Sequence, residues 1–210
     1  MTLADIQNSI YFRTSTNSAS FTNAQMLITI NNAYERVNSI VRTYLSNYDV
    51  TRYTSSDLST GTEVPKFRSL FHDLLALWPA YEYAVSKNLP QTQTFFQEIQ
   101  LKEQDLRNWY GGRNYRIFTV TIASPGVFTL KNHDLLVGDR IIFETTGALP
   151  TGLSAETWYY VVSANFATDT FTVSATKDGT AINTSGSQSG THYVGHDKPP
   201  RMTVTQHDNK

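Results

Sequence analysis

At 210 residues the chain suits one large domain or two small ones. It has no cysteine, which excludes a disulfide framework, thiol catalysis and a cysteine-based zinc site. Residues 1–110 hold nine Lys/Arg against ten Asp/Glu and residues 111–210 hold eight of each, so there is no global basic field of the kind that drives nucleic-acid binding.

Thr2 is placed to cap a first helix over Leu3 to Arg13, with Leu3, Ile6 and Ile10 on one face. Residues 14–20, rich in Ser, Thr and Asn, read as a loop. Thr22 and Gln25 form a capping box for a second helix, in which Met26, Ile30, Ala33, Val37 and Ile40 recur at steps of four and three. Residues 47–63 read as a polar connection without periodicity. Pro65 suits the first position of a third helix, whose apolar pattern runs from Phe67 to Ala84 with a kink expected at Pro79. A fourth helix is predicted from Thr92 or Thr94 to Tyr110, with Phe95, Phe96, Ile99 and Leu106 inward. The pairs Glu98–Lys102 and Glu103–Arg107 fall on its wet side.

Ten of the 11 glycines lie at or beyond Gly111, and there the pattern changes from helical to alternating. Gly111-Gly112 is suited to a left-handed helix stop. Beyond it, strands are predicted over residues 115–122, 127–130, 140–145, 157–163, 170–174 and 191–194, with a turn at Ser124-Pro125-Gly126. The expected fold class is α+β: an α-helical bundle of about four helices over residues 1–113, then a small β-barrel or β-sandwich over 114–197. Residues 198–210 are expected to form an extended tail, in which Met202 and Val204 would share a face suited to strand addition.

Two resemblances point to function. Thr2-Leu3-Ala4-Asp5-Ile6, Thr16-Asn17-Ser18, the stretch from Ile30 to Val37, the stretch from Phe67 to Lys87 and the Trp109-Tyr110 to Arg113 ending resemble the head-to-tail adaptor (connector) proteins of tailed bacteriophages. The run from Asn132 to Phe143, continued through Gly147 to Leu153, Thr157 to Val162 and Asp169 to Ser174, resembles a β module found on many phage virion structural proteins. Together they imply a structural protein of the virion neck. Such a protein forms a ring, dodecameric in the family, beneath the portal protein and in contact with tail or neck proteins. Genomic DNA passes through it without sequence-specific binding, and it uses no cofactor, no metal and no membrane. The other roles weighed are a tail, fibre-base or capsid-decoration protein and, from another class, a sugar-binding or cell-wall-degrading module using Trp158, Tyr159 and Tyr160.

The sequence offers no catalytic constellation. His192 and His196 have metal-like spacing only on a helix, and here they fall on a strand end, with Asp197 adjacent. Asp134 and Asp139 flank a turn, where Asp bonds its own backbone. His72 reads as a partly buried or capping residue rather than a base. Arg36, Arg42, Arg52 and Arg68 read as solvent-side. With Arg113, Met202 and Val204, the arginines at 36, 42 and 68 are the candidates for a partner interface. With no signal peptide and no apolar run of bilayer length, the expectation is a protein made in the host cytoplasm and used in the virion.

Overall fold

The computed structural model describes residues 1–48 and 52–196. Helices and antiparallel strands make the chain α+β, as expected. The helices are α1 (Leu3–Thr14), α2 (Asn23–Arg42), α3 (Ser55–Thr60), α4 (Leu74–Ser86) and α5 (Thr92–Gly111), with a short 3-10 turn at Ser69–Phe71. The strands are β1 (Arg116–Val120), β2 (Phe128–Thr129), β3 (Arg140–Thr145), β4 (Trp158–Ala167), β5 (Thr170–Ser174) and β6 (His192–His196).

Three of the helices start on reciprocal capping boxes: Thr2 with Asp5, Thr22 with Gln25, and Thr54 with Asp57. The third opens α3, inside a stretch that sequence periodicity leaves as a plain connection, because six residues are too few to show a helical repeat. Pro65 does not begin a helix. The chain bends at Lys66 and Phe67, and α4 begins only at Leu74. The reason lies in α2: the Tyr34 hydroxyl accepts from the Lys66 backbone N–H at 2.8 Å, and the Asn31 amide clamps the Tyr53 backbone at 2.9 and 3.0 Å. The carbonyls of Gly61 and Glu63 meanwhile accept from Ala4 and Leu3, two of the orphan N–H groups at the start of α1. Gly61 is required there, since at φ +66° its added Cβ would stand 2.8 Å from that of Ala4.

Every residue of α4 from Leu74 to Ala80 is buried, Pro79 included, so this helix is central and packs against α1, α2 and α5. The paired glycine is not a left-handed stop. Gly111 lies within α5 and Gly112 has φ −75°, because the helix end is set by the tertiary packing that follows.

The six strands pair antiparallel in the order β1-β2-β5-β4-β3-β6, and β6 returns to β1, so the sheet closes on itself. Phe118, Phe128, Phe143 and Phe171 meet inside it with ring centroids 5.0 to 5.4 Å apart. Tyr115 and Tyr193, both from the strand half, are buried in the same cluster as the helical core.

Candidate functional site

Of the arginines singled out from the sequence, Arg68 and Arg113 come together where the helices meet the sheet. On β3, Ile141 and Phe143 point into the closed sheet, so Ile142 and Glu144 face outward, and both are nevertheless buried. The helical half covers them. Their cross-strand partners Gly195 and Tyr193 lie on the same face. Gly195 admits the Tyr115 ring, which an added Cβ would approach to 2.7 Å. The Tyr193 hydroxyl crosses the junction to donate to the Ser46 carbonyl at 2.7 Å. Glu156, in the loop before β4, accepts from the Ser69 N–H and hydroxyl, both at 2.6 Å.

Beside these contacts runs a stack of cations and rings. Arg68 lies 3.8 Å and Arg113 3.6 Å from the centre of the Trp109 ring. Two guanidiniums that near one centroid must occupy opposite faces. Arg113 lies 5.4 Å and Arg140 4.1 Å from the Trp158 ring. The stack thus links the turn before α4, the end of α5, β4 and β3, and each close pair contributes about 0.5–2 kcal/mol. Arg113 Nη1 also donates to the Trp109 carbonyl at 2.8 Å.

Glu144 sits among these groups with Oε1 buried and without a hydrogen-bond partner among the described residues. Burial, first, and the Glu156 carboxylate, second, push its carboxyl up to about 8, against the opposing pull of Arg68 and Arg113. The hydroxyls of Tyr48, Tyr110 and Tyr115 share that burial, which raises all three. With 3 % of its surface exposed, Glu144 is out of reach of a molecule in solution.

The arginines predicted for partners are occupied within the chain. Arg36 ion-pairs with Glu103 at 2.7 Å and lies 4.0 Å over the Trp78 ring, whose Nε1–H donates to the same carboxylate at 3.2 Å. Glu103 is therefore buried and not on the wet side of α5, though Arg107 does approach it at 3.7 Å. Glu98 and Lys102 do not pair with each other in the expected way; they bind Arg13 and Asp73 respectively. Arg42 donates to the Tyr48 carbonyl and Arg52 to Glu35. Met202 and Val204, like Asp197, lie outside the described residues.

The histidines and aspartates also hold structure. His72 is buried, with Nε2 2.7 Å from the Phe67 carbonyl, and burial lowers its pKa. His192 bonds Thr145 Oγ1 at 2.8 Å, and no group of three or more His, Asp or Glu among the described residues is placed to hold a metal. Asp139 accepts from the Leu136 N–H at 2.8 Å, the turn bond expected of it, while Asp134 is exposed. Tyr159 and Val161 point into the sheet interior, and Trp158 and Tyr160 are half-buried on its outer face. With Arg140 over its ring, Trp158 is not an open platform for a sugar.

Sequence reasoning missed Glu144, Glu156 and the place of Arg113 between Trp109 and Trp158. One signal was present: a lone acid on the same strand face as Ile142, in a run otherwise apolar. Among the described residues no helix is long and apolar enough to cross a membrane. Comparison with protein-family models, curated proteins and solved structures found no match.

Proposed function

We propose that this chain is a structural subunit of a tailed-bacteriophage particle: a head-to-tail adaptor that assembles as a closed ring, dodecameric by family resemblance, between the portal and the tail or neck proteins. The observation that carries the reading is where large apolar side chains remain in solvent. Phe12 of α1 is 86 % exposed, Leu101 of α5 69 %, Ile28 of α2 62 % and Leu70 of the 3-10 turn 60 %. They stand on different elements of the helical half. A cyclic ring joins one face of a subunit to a different face of the next, so it needs more than one such surface. Leu70 also lines an open cleft of about 410 Å³ with Lys102, Trp109 and Arg113.

In this reading the helices make the ring contacts. The closed sheet is a β-barrel module, the second of two domains, on the outer side away from the DNA. Balanced charge agrees with DNA that passes through without being read. The protein positions surfaces and performs no catalysis. Imaging of the particle is the test: a closed ring on the portal axis is expected. Copies dispersed over the capsid would replace this reading with decoration, and copies on the tail or fibre base with a tail role. A monomer in solution decides nothing, since the portal can template the ring.

A further inference from the structure

We propose that the junction between helices and sheet is a proton-dependent lock, in which neutral Glu144 lets the two pack together and its ionisation loosens them. The inference stands apart from the adaptor reading.

The groups facing this carboxyl come from every described element packed there. Tyr48 follows α2, Arg68 precedes the 3-10 turn, Tyr110 ends α5, and Arg113 and Tyr115 lie between α5 and β1. Tyr193 is its partner on β6, and Glu156 lies in the loop before β4. The two cations do not neutralise Glu144 by contact. Both are held against Trp109, and no bond reaches Oε1 among the described residues. In a charged carboxylate here, Oε1 would lose its hydration without gaining a hydrogen bond in return. Burial accordingly keeps it protonated at neutral pH, with its titration displaced to about 8.

Once ionised, Glu144 needs water or a guanidinium. Water must enter between Ile142, Tyr115 and Tyr193, or Arg68 or Arg113 must leave the Trp109 ring. Either route separates surfaces that Tyr193–Ser46 and Glu156–Ser69 hold together. The loosening is therefore local, because α1 and the interior of the closed sheet do not touch the carboxyl.

Hydrogen exchange on the full chain, read by mass spectrometry and corrected for the intrinsic pH dependence of amide exchange, tests the lock. Between pH 6.5 and pH 9, protection over residues 105–118, 140–146 and 190–196 should fall about thirtyfold, nearly all of it below about pH 8, where the closed junction still holds the proton that the open one has lost. Protection over α1 and α4 should hold. The neutral variant Glu144→Gln should keep its junction protected at both pH values. A carbon-13 NMR titration of the Glu144 carboxyl in the wild-type chain serves if that variant does not fold, and should show ionisation above pH 7. Titration in the ordinary carboxylate range, unchanged wild-type protection at pH 9, or a pH-dependent loss in Glu144→Gln equal to that of wild type would each overturn the proposal.

Discussion

Trp109 and Glu144 show how one side chain sets the properties of its surroundings. Trp109 presents both faces to guanidiniums, so Trp109→Ala removes two cation–π contacts and a large ring together. A loss of about 3 kcal/mol is expected in urea unfolding, and Trp109→Phe should recover part of it by keeping a face for each arginine. Glu144 makes stability depend on pH. Its carboxyl ionises near 4.5 when unfolded and near 8 when folded, so the folded chain holds the extra proton between those values. Its stabilisation is complete below about 4.5 and is lost as pH rises through about 8. The slope is roughly 1.4 kcal/mol per pH unit across that window. His72 and His192, both lowered by burial, lose their stabilisation only as pH falls below 6.5 toward their lowered values, outside the window from pH 7 to 8 in which Glu144 acts. Thermal unfolding of wild type over that range should show the decline, and Glu144→Gln should remove it.

The elements are held by caps and close approaches as much as by periodicity. α3 is six residues long, below the length at which a helix is stable alone, and depends on the Thr54–Asp57 box and on the burial of Leu58. Thr54→Ala should weaken it by about 1 kcal/mol, visible as faster hydrogen exchange confined to residues 55–61. On β6 the constraint is steric. Gly195→Ala would drive a methyl group into the Tyr115 ring, whose atoms stand 2.7 to 3.0 Å away, and should cost about 1–3 kcal/mol in urea unfolding. An equivalent alanine at Gly138, which has open space for a Cβ, would test only the φ of +88°.

At the scale of the molecule the helices and the sheet share buried tyrosines. Tyr115 and Tyr193 belong to the helical cluster, and Tyr48 lies 6.3 Å from Tyr193, ring centre to ring centre. Calorimetry near pH 7 should therefore show one transition. Cutting the chain after Arg113 would uncover Tyr48, Tyr110 and the Ile142-facing side of the bundle, and the helical fragment should melt below the full chain. Two separate transitions would mean that the junction adds little.

Local chemistry was legible from the sequence alone. The Thr2 cap, the Thr22–Gln25 capping box, the buried faces of α1 and α2, the bounds of β3 and β5, the Asp139 turn and the α+β class all depend on residues close in the chain, where 3.6- and 2-residue periods and side-chain-to-backbone bonds act without help. The junction was not legible, because its partners are distant in sequence: Glu144 with Tyr110, Arg68 with Trp109, Glu156 with Ser69. Periodicity marked Arg36 and Arg68 as wet, yet each lies over an indole face supplied by another element, Trp78 for Arg36 and Trp109 for Arg68. Pro65 and Gly111-Gly112 carried strong local signals that longer-range bonds overrode, the Tyr34 hydroxyl taking the Lys66 N–H and α5 continuing through Gly111. A local preference is worth about 1 kcal/mol, and a few buried contacts from elsewhere in the chain outweigh it.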